Sequence, residues 1–233
     1  RESFGMPRVY GSDRLFVFIR LESDNAFRNE MESAKEAGHP VIDIVLNDKY
    51  EISAEFFRWE IATAVAGSIL GINPFDQPDV EASKIATRKL TTEYEATGAL
   101  PEDTSLKIGD PDLVERLQWL LKTIVPGDYF AILAYINMTP ETEALLNEPR
   151  TLIRNKYKVA TCLGFGPRFL HSTGQAYKGG PNTGVFLQIT ADDPADLPVP
   201  GQKYTFGVVK SAQARGDMQV LEERGRRCLR VHL

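Results

Sequence analysis

Short apolar runs alternate with longer helical periods along this chain, and this alternation constrains the fold more than any other feature. Because helical segments separate the runs, the strands that they predict are expected to pair in parallel. The sequence therefore predicts an α/β protein, a three-layer α/β/α sandwich with a mostly parallel sheet. The predicted strands are LFVFIRL (15–21), VIDIVL (41–46), YFAILAYI (129–136), VATCLG (159–164), VFLQIT (185–190) and CLRVHL (228–233).

The predicted helices are set by their start and stop residues. Residues 53–70 predict a long, largely buried helix capped by Ser53, and the helix after it ends at Gly98. Near the C-terminus the sequence predicts two helices, 205–216 and 217–224. Further helices are predicted over 112–124 and 140–156.

The segment ALPEDTSLKIGDP (99–111) is rich in turn formers and acidic residues, which is typical of a connection between structural units. It divides the chain into a first α/β segment, 1–98, and a second, 112–233. We expect these two segments to pack together as one unit.

Composition excludes several classes of protein. The 233 residues are 42% hydrophobic, which is enough for a sizeable core, and no apolar run approaches the roughly 18 residues of a membrane span. The net charge of −5, with acids and bases intermixed, argues against a nucleic-acid partner but leaves room for a local cationic pocket. Cys162 and Cys228 lie in apolar runs and predict buried free thiols in a cytoplasmic protein. The three histidines are too scattered for a metal site.

The stretch INPFDQPDVEASK (72–84) leads through a turn into a helix and allows two interpretations. In one, it is an ordinary solvated helix start, with Lys84 in water. In the other, Asp76 or Asp79 caps the helix, and Gln77 and Lys84 point into a pocket. Gln77 and Lys84 are seven residues apart, about two helical turns, so they can align along one side of the helix.

A second candidate site is the glycine-rich stretch GFGPRFLHSTGQAYKGG (164–180), which follows a predicted strand. Its His171 is a candidate acid–base group, and the alternative is a plain connection with one satisfied histidine. Glu22, at the carboxyl end of the strand 15–21, is either a base or a cap for the next helix. The candidate substrate-binding residues of the glycine-rich stretch are Arg168, Ser172, Thr173 and Gln175.

Residues 59–84, WEIATAVAGSILGINPFDQPDVEASK, resemble the C-terminal signature of glucose-6-phosphate isomerases. The matching positions run from a helical glutamate and a glycine through I-N-x-F-D-Q and V-E to a lysine. Here these positions are Glu60, Gly67, Ile72, Asn73, Phe75, Asp76, Gln77, Val80, Glu81 and Lys84. Asp79 departs from the family, which favours glycine or alanine at that position.

The stretch GFGPRFLHSTGQAYKGGPNTG is similar to the isomerase part of transaldolase/glucose-6-phosphate isomerase fusion proteins. The resemblance implies a sugar-isomerase (SIS-like) fold. It also implies that the parent chain carries a transaldolase domain and a first isomerase domain. The site would then be completed by that first isomerase domain or by the partner subunit of a homodimer. In the family a T-N-G-Q-H segment carries the ring-opening histidine, whereas Ala176 and Tyr177 follow STGQ here.

The implied activity is the aldose–ketose isomerisation of glucose 6-phosphate and fructose 6-phosphate, without metal or organic cofactor. By the same resemblance, Lys84 assists ring opening, Gln77 positions the substrate, His171 replaces the family histidine and Glu22 is a candidate base. The alternative is a non-catalytic sugar-phosphate-binding, regulatory or dimerisation module of the same fold.

Overall fold

The computed structural model describes residues 4–233 and divides the chain into two compact units, with the division between Asp76 and Gln77. We expected the boundary in 99–111. That segment instead contains a short strand, Leu106–Lys107, which pairs with the last strand of the chain and so belongs to the second unit. Turn-forming residues predicted the irregular chain before this strand but could not show that two residues in it complete a sheet.

The first unit contains two parallel strands joined through a helix. Phe16 pairs with Val41 at one end of the two strands and Leu21 with Leu46 at the other, while Arg20 binds Asp43 through two hydrogen bonds of 2.9 and 2.8 Å. The elements are β1 (Phe16–Leu21), α1 (Arg28–Glu36), β2 (Val41–Leu46) and α2 (Ile52–Leu70).

Helix α2 differs from the sequence prediction in its start and in its burial. It begins at Ile52 after Glu51, so Ser53 lies inside the first turn rather than at the cap. Only Glu55 and Gly67 are buried, because apolar residues surround the helix and the small two-stranded sheet cannot cover every side. The exposed apolar side chains are Phe56, Phe57, Trp59, Ile61, Val65, Ile69 and Leu70.

The second unit contains a five-stranded, entirely parallel sheet in the order β3-β7-β6-β4-β5. The strand predictions in this unit are confirmed to within two residues at each end. The elements are α3 (Pro78–Thr97), β3 (Leu106–Lys107), α4 (Leu113–Lys122), β4 (Tyr129–Tyr135), α5 (Pro140–Tyr157), β5 (Ala160–Phe165), α6 (Gly174–Gly179), β6 (Gly184–Thr190), α7 (Phe206–Glu223) and β7 (Arg227–His232).

The two faces of β4 show why this unit has three layers. Phe130, Ile132 and Ala134 pack with α4 and α5 on one face of the sheet. The alternating residues Ala131, Leu133 and Tyr135 pack toward α6 and α7 on the other. Because successive side chains of a strand point to opposite faces, one apolar run supplies two cores. The predicted α/β/α sandwich is thereby confirmed in the second unit.

Helix α7 is one continuous helix, so the predicted break near residue 216 is wrong. Gly216 lies inside it, and a Cβ atom at this position would stand 2.9 Å from the hydroxyl of Thr87 on α3. The glycine therefore permits close packing of two helices and does not end one, a distinction that sequence alone does not carry.

The termini of α3 confirm one prediction and correct another. The helix ends at Gly98, which adopts the left-handed conformation expected of a C-terminal glycine. At its start, however, neither Asp76 nor Asp79 is the cap: Gln77 occupies that position, Pro78 begins the helix and the Asp79 carboxylate is used elsewhere. Among residues 4–233, no helix is both long and apolar enough to span a membrane.

Both cysteines are free, and both are partly buried rather than fully buried.

Burial raises the pKa of the Cys228 thiol to about 12. Only the thiolate is nucleophilic, so in a Cys162→Ser variant we expect Cys228 to react with iodoacetamide at pH 8 roughly fiftyfold more slowly than free cysteine. The rate, followed by mass spectrometry, should rise about tenfold per pH unit from pH 8 to 10. A plateau near pH 9 would show that the thiol has an ordinary pKa.

Candidate functional site

Helix α3 carries both residues that the isomerase-like signature singles out. Gln77 is exposed at the start of the helix, where its backbone carbonyl oxygen accepts a hydrogen bond of 3.3 Å from the backbone amide of Glu81. Lys84 lies two turns further on, with 58% of its side chain exposed, and forms a 3.3 Å ion pair with Glu81. Arg88 binds the other oxygen of Glu81 at 2.8 Å. Lys84 and Arg88 together lower the pKa of the Glu81 carboxyl, Lys84 more strongly.

Lys84 and His171 line the same cavity, which has a volume of about 290 Å³. His171 ends a 3₁₀ turn, Arg168–His171, that follows β5 and brings the histidine toward α3. The cavity is lined by α3, this turn, α6 and α7. The sequence thus placed its two strongest acid–base candidates in separate motifs, and the fold brings them to one cavity.

The lining of this lysine–histidine cavity is mostly apolar, with a few lysine and arginine side chains that are each paired with a carboxylate outside the lining. Its titratable side chains are those of Lys84, Arg88, His171 and Lys178, and none of its described lining residues is a carboxylate. Ser83 adds a buried hydroxyl that makes no hydrogen bond to the described residues. An apolar lining with a few convergent polar groups is typical of a small-molecule site, and the lysine and arginine side chains offer hydrogen-bond donors there.

Lys178 is the feature of this cavity that sequence reasoning missed. Its side chain is 1% exposed and forms an ion pair with Asp217 of α7, also 1% exposed. Burial raises the pKa of Asp217, while Lys178 opposes this shift. The hydroxyl of Tyr135 lies beside the same carboxylate, and burial raises the pKa of Tyr135 well above its usual value. Because a buried ion pair is costly to maintain, its place against a cavity marks Lys178 as a candidate for function.

Gln175 is held by α3. Its amide nitrogen donates to Asp79 at 2.7 Å, and its side-chain oxygen accepts from the Asp79 amide at 2.9 Å. Arg224, directly after α7, binds the same carboxylate at 2.7 Å. Asp79, the residue that departs from the isomerase signature, thus ties the start of α3 to α6 and to the end of α7.

Arg168, Ser172 and Thr173 line a different cavity, of about 390 Å³, beside β5 and α5. The hydroxyls of Ser172 and Thr173 both donate to the carbonyl oxygen of Phe169, at 3.0 and 3.2 Å. The structure therefore separates these three predicted substrate-binding residues from the lysine–histidine cavity.

Glu22 lies in the first unit, exposed in the turn after β1. Its backbone amide donates to Leu46 and extends the pairing of β1 with β2. It does not cap a helix, since Asp24 accepts the local hydrogen bond, from the amide of Ala26. Within residues 4–233, no group of three or more histidine, cysteine, aspartate or glutamate side chains could hold a metal ion.

Comparisons with known proteins find partial similarity to sugar isomerases. No family model matches the chain. The glucose-6-phosphate isomerase of Enterococcus faecalis is 30% identical over 82 residues, which is 34% of this chain and 17% of that protein. The glucose-6-phosphate isomerase of Shouchella clausii is 39% identical over 61 residues, 25% of this chain and 14% of that protein.

These matches span less than a fifth of the length of either relative. Among solved structures, the crystal structure of a hypothetical protein from Thermus thermophilus aligns with 93% of this chain and 51% of its own, with a TM-score of 0.40 and 16% identity. Part of this chain is similar to glucose-6-phosphate isomerases, and its second unit has the α/β/α fold.

Proposed function

We propose that this chain contributes the lysine-bearing part of an aldose–ketose isomerase site that acts on a sugar phosphate, with glucose 6-phosphate and fructose 6-phosphate as its substrates. The observation that carries the proposal is the cavity shared by Lys84 and His171. The partial similarity to two glucose-6-phosphate isomerases supports it independently.

The chemistry of the cavity suits the opening of a sugar ring. Ring opening requires a proton donor near the ring oxygen and an acceptor for the proton of the O1 hydroxyl. Lys84 supplies the donor or holds the ring oxygen, and His171 is the acceptor. Arg88 is bound by Glu81 through one nitrogen, and its other N–H groups remain as donors for the phosphate. Gln77, at the cap position of α3, does not line this cavity, so we propose that it holds a part of the substrate that extends beyond it.

Isomerisation also requires a base that moves a proton between C2 and C1, and the described lining of the cavity contains no carboxylate. We therefore propose that the base comes from the remaining part of the parent protein or from a partner subunit. Glu22 remains a candidate for this base only if the complete protein brings it to the site. On this proposal the chain by itself binds the sugar phosphate but isomerises it weakly or not at all.

The test is a calorimetric titration of the chain with 6-phosphogluconate, an acyclic analogue of the opened sugar. We expect saturable binding that becomes at least about tenfold weaker in Lys84→Ala, because a charged hydrogen bond is lost. Lys89→Ala is the matched control, since Lys89 is exposed on the same helix and does not line the cavity. Gluconate, which lacks the phosphate, should not bind detectably.

If 6-phosphogluconate binds the parent and both variants equally, Lys84 does not hold the ligand and the proposal is wrong. The second candidate function is a non-catalytic sugar-phosphate-binding module, which the absence of a carboxylate from the described lining favours. The exposed apolar side chains of α2 favour the related alternative of a dimerisation module.

A further inference from the structure

A third and larger cavity, of about 470 Å³, opens at the carboxyl end of the five-stranded sheet. Four of its lining residues are the last residues of four strands: Lys107 of β3, His232 of β7, Thr190 of β6 and Tyr135 of β4. They form one row across the sheet, since Lys107 pairs with His232, His232 with Thr190, and Thr190 with Tyr135. We call this space the strand-end cavity.

Its position is the one at which open parallel sheets bind ligands. The chain leaves β4 for β5 on one side and then returns to β6 on the other side of β4. At such a reversal the connections diverge and leave a crevice beyond the carboxyl ends of the strands. The volume suits a small metabolite.

Of the four acidic residues that line the strand-end cavity, two are paired with lysine or arginine side chains. Asp103 is bound by Arg230 at 2.8 Å and by Arg215 at 3.6 Å, and Lys210 binds Asp193 at 2.6 Å. Asp196 accepts from the amides of Leu197 and Gly207, where α7 begins. The remaining acid, Asp192, is almost fully exposed on the rim.

Four acidic and four basic side chains line the cavity, so its formal charge is zero, but several of its donor groups lack a partner among the described residues. Two arginines share Asp103, and Lys107 has no carboxylate partner in the described part of the chain. The Nε atoms of Arg215 and Arg230 are buried and make no hydrogen bond to the described residues. Burial also lowers the pKa of Arg230, which means that its positive charge lacks full solvation.

We propose that the strand-end cavity is a binding site for a small anionic metabolite, which Arg230 and Lys107 hold through its phosphate or carboxylate group. The site is separate from the lysine–histidine cavity and does not depend on the function proposed for it. At the row of strand ends, the His232 ring would contact the ligand, with its Nδ1 atom 3.0 Å from the Thr190 hydroxyl.

The test is a titration of the ¹⁵N-labelled chain with inorganic phosphate and, separately, with malonate, each against sodium chloride of equal ionic strength. We expect at least one anion to cause saturable shifts of the amides of residues 190–193 and of the Nε signal of Arg230. The two anions distinguish a phosphate ligand from a carboxylate ligand. The proposal would be overturned if only signals near Lys84 and His171 shifted, or if no signal showed saturable shifts with either anion.

Variants locate the anion. Arg230→Gln should weaken binding at least about tenfold, the loss expected for a hydrogen bond to a charged group. Lys122→Gln, at an exposed lysine of α4 outside the cavity, should leave the affinity unchanged. If Arg230→Gln does not fold, Lys107→Ala decides the question, because Lys107 is exposed and its removal leaves no buried charge. If the parent protein and Arg230→Gln (or Lys107→Ala in its place) bind the anion with equal affinity, the anion does not occupy the strand-end cavity.

Discussion

Replacing Asp217 by alanine should destabilise the second unit by about 3–5 kcal/mol, the usual cost of removing one partner of a buried ion pair. The variant leaves the Lys178 ammonium enclosed, with 1% of its side chain exposed and no counter-charge. A domain of this size is stable by only about 5–15 kcal/mol, so the loss is a large fraction of the total.

The two tryptophans make this measurement specific to one unit. Trp119 lies on α4 of the second unit and Trp59 on α2 of the first. In a Trp59→Phe background, urea unfolding followed by fluorescence reports the second unit alone. Asp112→Ala is the matched control, because Asp112 is exposed and makes no side-chain capping bond at the start of α4.

A double variant separates the charge from the packing. Lys178→Met with Asp217→Leu removes both charges and keeps comparable side-chain volume, so it should recover most of the stability lost in Asp217→Ala. A loss below about 1 kcal/mol in Asp217→Ala would mean that Lys178 reaches water or another acceptor when Asp217 is gone.

Much of the fold could be predicted from the sequence, because a long apolar run bounded by turn residues can form few structures other than a buried strand. The run YFAILAYI is apolar at every position, as expected of a strand covered on both faces, and β4 indeed has helices on both sides. By contrast, the two residues of β3 are too few to show a period, and β3 joins the sheet only through β7.

The candidate site was predicted only in part, because only some of its residues belong to a local sequence motif. Lys84 and His171 each stood in a motif with a readable chemistry, and the structure brings them to one cavity. Lys178 and Asp217 gave no signal, because a lysine before two glycines and an aspartate after one are typical of exposed turns. Their pairing depends on the packing of α6 against α7, which no local pattern encodes.

The row that lines the strand-end cavity shows the same limit. Each of its residues ends a strand, but their alignment depends on the pairing register of four strands. Sequence predicts where strands end more reliably than which strands are neighbours. Sites built from one motif can therefore be anticipated, whereas sites built from the order of the sheet cannot.

The largest functional effect is expected for Lys84→Ala in the intact parent protein. On the proposed function, this change lowers kcat/KM for the conversion of fructose 6-phosphate to glucose 6-phosphate by about 10²–10³-fold, as is typical when one proton donor or charge-stabilising group is removed. Product formation is followed directly, and Lys89→Ala provides the matched control.

Lys84→Arg separates binding from chemistry. An arginine keeps the positive charge at this position, but its guanidinium does not lose a proton at neutral pH. We therefore expect Lys84→Arg to bind 6-phosphogluconate nearly as the parent protein does, while its kcat stays close to that of Lys84→Ala. If Lys84→Ala loses affinity for 6-phosphogluconate yet isomerises at the parental kcat, Lys84 only holds the phosphate. The ring-opening role must then belong to another group, of which His171 in the same cavity is the first to test.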